Sequence, residues 1–218
     1  VTISVVRIAS NHSCVLTIVD FVSVAVAGTA GTLLGAPGSV NWSLMLDAAE
    51  VILCEEGYAA LTSRRVAEVV GVKQRLVYYY FHTMDALAAS CFHRIVEREM
   101  ERLEAAARSD RPVRAFWTIA TETSDPRLIA EFMALANRNA ALKADVIAFV
   151  EKSRAMQVTA LTNALARHPD AATASPDALV ILGSSLALAL NREAVLGIGS
   201  GHGDAAKLVT EFLDRIEP

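Results

Sequence analysis

Along residues 41–90, apolar and small side chains recur at the spacing of helices. Between Ser43 and Gly57, Met45, Ala48, Ala49, Ile52 and Leu53 fall at i, i+3, i+4, i+7 and i+8, with Asp47, Glu50, Glu55 and Glu56 turned outward. Ser43 is the expected cap of this helix, and Gly57 the expected left-handed residue past its end. Thr62 then precedes SRRVAEVV, where Val66, Ala67 and Val70 line one side of a short second helix closed by Gly71. A third helix is predicted over 74–81, and Thr83 caps a fourth that begins MDALAASCFHRIVEREM. Two short helices joined by a glycine-containing turn form a helix-turn-helix, with Val70, Val72 and Val77 placed to lock the corner.

Proline and glycine punctuate the rest into helices. The fourth fades near Ser109, and Pro112 opens the next. Asp125-Pro126 is a cap followed by a first-turn proline, and that helix stops near Asn137-Arg138-Asn139. A long helix is predicted from Ala141 to Arg167. Another starts at Ser175-Pro176 and ends before Gly197, and a last one runs from Asp204 to Ile216. No segment alternates as strands do, and no repeat is present. The expected fold is all-α, a three-helix N-terminal helix-turn-helix unit followed by a C-terminal bundle of about six helices.

The helix from Asp177 to Leu196 is nearly uncharged until Asn191-Arg192-Glu193, so most of its surface must be buried. It is long enough to cross a membrane, but Gly183-Ser184-Ser185 interrupts it and its neighbours are amphipathic. With the final helix it reads as a two-fold dimer interface, its small residues admitting a close partner.

Residues 1–40 stand apart, with only Arg7 and Asp20 charged and a glycine-rich end, GTAGTLLGAPG. An export signal or membrane anchor would use Arg7 as its basic flank, but Asp20 and the glycines break the apolar run. A Val-rich strand with a phosphate-binding turn would want G-x-G-x-x-G, and the spacing here is G-x-x-G-x-x-x-G. The favoured expectation is a poorly ordered extension or a mis-assigned start, since the first residue is Val1.

The 218 residues are 53% hydrophobic and 20% charged, which excludes a disordered chain and leaves ample material for a core. Cys14, Cys54 and Cys91 are too few and irregular for a disulfide framework or a zinc site, and read as reduced intracellular thiols. His82, Cys91 and His93 lack the helical spacing of a metal-binding trio, and His168 and His202 read as surface groups at helix boundaries. No metal or cofactor is expected. Paired carboxylates, a Ser-His-acid set and Y-x-x-x-K are lacking, so the chain is not expected to be an enzyme. The formal charge of −4 does not suggest nucleic acid. Locally the picture changes: residues 62–75 carry Arg64, Arg65, Lys73 and Arg75 against Glu68, a balance of +3, whereas residues 41–92 hold four basic and six acidic groups.

The stretch MLDAAEVILCEEGYAALTSRRVAEVVGVKQRLVYYYFHTMDAL resembles the DNA-binding domain of TetR-family (tetracycline-repressor-like) transcriptional regulators. The resemblance rests on the DAA of the first helix, Gly57-Tyr58, Thr62, Val66-Ala67, Gly71-Val72, the Tyr78, Tyr80 and Phe81 signature, and Leu87. It implies that the third helix enters the major groove, with Gln74, Arg75 and Leu76 reading base edges. Arg can bond guanine twice, Gln can do so to adenine, and an apolar group can touch a thymine methyl. By the same resemblance Thr62, Tyr78 and Tyr80 would contact phosphates, Tyr79 would serve either purpose, and Lys73 and Arg64 would meet the backbone through charge. Three departures bear on affinity. Met84 stands at a usually basic position, VNWSL offers no basic arm, and Arg65 replaces a common acidic residue and could itself pair with phosphate. Each lost phosphate contact should flatten the salt dependence by about 0.9 log units per log unit of salt.

Phe116, Trp117, Phe132, Met133, Phe149 and Met156 supply bulky surface in the middle helices, either as the wall of an effector cavity or as ordinary core. The organisation expected is an extension over 1–40, a DNA-binding domain over 41–90 and a ligand-binding and dimerisation domain over 91–218. The function implied is a cytoplasmic, ligand-responsive repressor that binds a pseudo-palindromic operator as a homodimer. Its partners would be duplex DNA, a second copy, and a small apolar or amphipathic effector. The alternatives are a helical enzyme or small-molecule carrier, or a membrane-tethered sensor using residues 1–40.

Overall fold

In the computed structural model, residues 38–123, 125–171 and 174–218 are described; the expectations for residues 1–37 lie outside them. The described residues contain no strand. The helices are α1 (Val40–Glu55), α2 (Ser63–Val70), α3 (Gln74–Phe81), α4 (Met84–Ala107), α5 (Pro112–Thr118), α6 (Pro126–Ala136), α7 (Ala140–Arg167), α8 (Pro176–Val195) and α9 (His202–Ile216).

Local chemistry sets most boundaries. Thr62, Thr83, Asp125, Asn139 and Ser175 each accept a backbone N–H at a helix start. Gly71 ends α2 in the left-handed region (φ 76°, ψ 30°). The first helix departs from expectation: its cap is Ser39, whose Oγ accepts from Trp42 N–H at 3.3 Å, so α1 begins a turn before Ser43. Gly57 has a positive φ of 79° but an extended ψ of 172°, so it redirects the chain into a 3-10 turn, Tyr58–Ala60, rather than closing α1. After α5 the chain widens into a π turn over Ile119–Thr123. Asn191 Nδ2 donates to the Ala120 carbonyl there at 2.7 Å, which gives this polar residue of α8 an internal partner.

Three apolar clusters hold the molecule together. The first joins Met45, Leu46, Ile52 and Leu53 of α1 to Val66, Val77, Phe81 and Leu87, and it continues into Leu128, Phe132 and Leu135 of α6 and Leu142 and Val146 of α7. Phe92 and Phe132 meet with ring centroids 5.0 Å apart. The reading unit and the C-terminal bundle therefore share one core, and the expected division at residues 90 and 91 falls inside the continuous α4. The second cluster gathers Met100, Leu103, Phe116 and Ala160; the third joins Leu161 and Ala164 to Val180, Leu213 and Ile216. Cys91 lies in the first, where burial pushes its thiol up to about 12, so it behaves as a small apolar group.

Candidate nucleic-acid interface

Helix α3 is eight residues long and has two unlike faces. Val77 and Phe81, one turn apart, are buried against α1, α2 and α4, with Leu76 and Tyr80 half-buried beside them. Arg75, Tyr78 and Tyr79 fall at i, i+3 and i+4 on the outer face, with Tyr78 50% and Tyr79 57% exposed. Lys73, the cap residue, is also exposed. The rings of Tyr79 and Tyr80 meet edge to face at 5.7 Å. The Tyr80 hydroxyl accepts from Ser39 Oγ at 3.2 Å, tying the end of α3 to the start of α1. Beyond Phe81 the chain turns tightly at His82 (φ 58°, ψ −44°), where Thr83 N–H bonds the Phe81 carbonyl at 2.5 Å. This is the strained γ-turn that abruptly separates α3 from α4.

Gln74, an exposed residue, donates its Nε2 to Ser63 Oγ at 2.8 Å, which braces α3 on the start of α2 and engages the amide's donor end rather than its acceptor Oε1. Thr62 caps α2 by accepting Arg65 N–H at 3.1 Å, so its hydroxyl proton remains available to an acceptor outside.

The charge pattern is more selective than the local balance of +3. Arg64 Nε pairs with Glu68 at 3.0 Å, and Arg65 pairs with Glu56. Arg65, which could also have paired with a phosphate, thus has a carboxylate partner within the protein. The bond from Arg65 holds the Glu56 carboxyl below the ordinary carboxylate range. Among the described residues, no carboxylate lies within ion-pair distance of Lys73 or Arg75.

The acidic residues of α1 are similarly occupied. Arg94 of α4 reaches Asp47 at 2.6 Å and Glu50 at 3.0 Å, and Arg98 reaches Glu50 at 2.6 Å. Arg127 of α6 reaches Glu55 at 3.4 Å. Glu50, expected to face outward, is only 14% exposed because it lies under these two arginines. Carboxylates that would repel a polyanion are therefore neutralised from α2, α4 and α6. Spacing could not reveal this, because each partner lies on another helix.

Tyr58, in the turn between α1 and α2, donates its hydroxyl to Asp85 Oδ1 at 2.8 Å. Burial, reinforced by that carboxylate, raises the phenol above its ordinary value, so it stays a donor.

Residues 45–91 match the family model of bacterial regulatory proteins, tetR family. This segment is similar to the DNA-binding domain of that family. The fold also has counterparts among solved structures. A TetR-family transcription regulator from Haloarcula marismortui is similar with a TM-score of 0.68 at 17% identity, covering 82% of this chain and 98% of that one. A Rhodococcus sp. protein assigned to the TetR-family transcriptional regulators has a TM-score of 0.64 at 19% identity over 83% of this chain and all (100%) of that one. A transcriptional regulator of Saccharomonospora viridis, solved with choline, has a TM-score of 0.62 at 13% identity, covering 72% and 85%. No curated protein gives a significant match. These solved structures share with the chain the arrangement of a helix-turn-helix unit followed by a helical C-terminal domain.

The bulky residues considered for an effector cavity do not converge. Phe116 and Met156 belong with the second cluster and Phe132 with the first, Phe149 packs on both, Trp117 packs on the third, and Met133 is 51% exposed. A cavity of about 530 Å³, open to solvent, lies between the α4–α5 turn and α7; only Met156 of the six lines it, beside Pro112, Lys152 and Arg167. His202 is not the surface group expected, since its Nε2 lies 3.0 Å from Glu193 Oε2 and bridges the glycine-rich α8–α9 turn. Among the described residues, no cluster of His, Cys, Asp and Glu could hold a metal ion.

Proposed function

We propose that the chain works in the cytoplasm as a homodimeric, ligand-responsive repressor whose α3 helices enter successive major grooves of a pseudo-palindromic operator. The outward stripe of Arg75, Tyr78 and Tyr79 beside Lys73 carries this reading, because Lys73 and Arg75 are exposed there and, among the described residues, have no carboxylate within ion-pair distance. Arg75 reads a base edge, Gln74 presents Oε1 to an exocyclic amine, and Leu76 lies at the groove wall. Lys73, Tyr78, Tyr80, Thr62 and Arg64 meet phosphates, Arg64 after leaving Glu68, and Tyr79 serves either role.

Dimerisation is supported by α8. Ile181, Leu188 and Val195 recur every seven residues and are exposed, as are Leu182 and Leu196 beside them and Leu208 of α9. Among the described residues α8 is also the one helix apolar and long enough to cross a membrane. Its polar contact with the π turn and its packing on α7 favour a protein partner instead. The division of labour we infer is a reading unit over 41–90 and a sensing and dimerising unit over 91–218. An apolar or amphipathic effector would enter the cavity beside Met156, displacing α5 and α7. Such a ligand acts only through its different affinities for the two states.

The test is a titration of a fluorescent duplex from the chain's own upstream DNA with the full-length protein. Saturable binding that survives excess random DNA supports the reading; binding no stronger than to random DNA contradicts it.

A further inference from the structure

The first N–H of the 3-10 turn Tyr58–Ala60 has no acceptor nearby in sequence, because the preceding residue is Gly57, which has no side chain to cap it. The acceptor comes from 73 residues away: Glu131 of α6 takes the Tyr58 N–H on Oε2 at 3.0 Å. Its other oxygen, Oε1, lies 3.2 Å from where a Cβ on Gly57 would sit. Glycine therefore serves twice here, permitting φ 79° and leaving room for the carboxylate. Among the described residues no cation lies within ion-pair distance of Glu131, and its carboxylate is held by the Tyr58 backbone N–H. Helix α6 holds its place through Leu128, Phe132 and Leu135 in the first core and through the Arg127–Glu55 pair.

We propose that Glu131, which lies outside the TetR-type domain, is a positioning residue for DNA reading. It holds the α1–α2 turn so that Thr62 and the start of α2, on which Gln74 and α3 are braced, stand at the angle the duplex needs. A shift of α6 would pass directly to the reading face through this bond. The proposal rests on the DNA-regulator reading but is separable from it, because the bond exists without DNA.

The test uses the full chain with Glu131→Ala, Glu131→Asp and Glu131→Gln. Amide exchange at Tyr58 is measured without DNA, and affinity is measured for a duplex selected from random sequence by the wild type. Gln keeps an acceptor at the same reach, whereas Asp keeps the charge but falls one methylene short. Exchange at Tyr58 should quicken in the Ala and Asp variants and stay near wild type in the Gln variant. Affinity should fall about tenfold in the first two and within about threefold in the third, as expected for losing a bond to a charged acceptor. If Ala fails to fold, the Asp and Gln pair decides. Unchanged Tyr58 exchange in the Asp variant, or Asp and Gln variants that bind DNA alike, overturns the proposal. A wild type that selects no duplex contradicts the regulator reading, while Tyr58 exchange still tests the bond itself.

Discussion

Arg65 and Glu56 are joined by a forked ion pair, with Nη2 2.7 Å and Nε 3.0 Å from Oε1. Arg65 sits in the first turn of α2, where a positive charge opposes the helix dipole, and Glu56 from the end of α1 supplies the compensating negative charge. The pair is exposed and contributes little to stability, but it determines which cations remain for DNA.

Lys73 and Arg65 should consequently differ in their salt signatures. Lys73→Ala is expected to reduce the slope of log affinity against log salt by about 0.9, and Arg65→Ala to leave it nearly unchanged. Titrations over a range of salt concentrations check this; equal losses in slope would show that Arg65 leaves Glu56 to meet a phosphate.

Arg75→Ala should weaken binding at one base pair by about 1–3 kcal/mol and relax preference there, with the other positions retained. Competition among single-substitution duplexes measures it. A uniform loss across all duplexes would move Arg75 to the phosphates.

Much of this was legible in the sequence because it is local. The caps Thr83, Asp125 and Ser175, the stop at Gly71 and the span of α3 follow from neighbours within one turn. Contacts between distant helices were hidden. The pairing of Glu50 with Arg94 and Arg98, and the Tyr58–Glu131 bond, depend on how α4 and α6 cross α1. Ser39 displaced Ser43 as a cap because the helical pattern extends back through Trp42, whose ring stacks on Phe81. The six bulky residues failed to mark a cavity because size and apolarity suit a core equally well.

Helix α8 gives a third prediction. Leu182→Glu combined with Leu188→Glu places charges on the exposed apolar stripe, and light scattering should show the mass falling from about twice 23.3 kDa to the single-chain value. A wild type that is already monomeric would contradict the two-fold reading, as would its recovery in membranes.

Asp125 links stability to pH. Burial disfavours its charge, but bonds from the Arg127 side chain and backbone outweigh this and hold its carboxyl below the ordinary value. Its folded pKa being lowered, the stabilisation is complete above the unfolded value of about 3.9 and is lost as pH falls through the folded one. Asp125→Asn retains a cap acceptor without the charge. The gap in unfolding midpoint between the two proteins should be constant above about pH 5 and shrink below about pH 4. A gap independent of pH would remove Asp125 from the acid response.

The most direct test of the central claim, that two α3 helices read DNA together through Arg75, Tyr78 and Tyr79, is selection of bound duplexes from a random library by the full-length protein. The account predicts enrichment of an inverted repeat at fixed spacing, lost in the Leu182→Glu, Leu188→Glu variant and degenerate at one position per half-site in Arg75→Ala. A single unrepeated motif, or no enrichment at all, would contradict it.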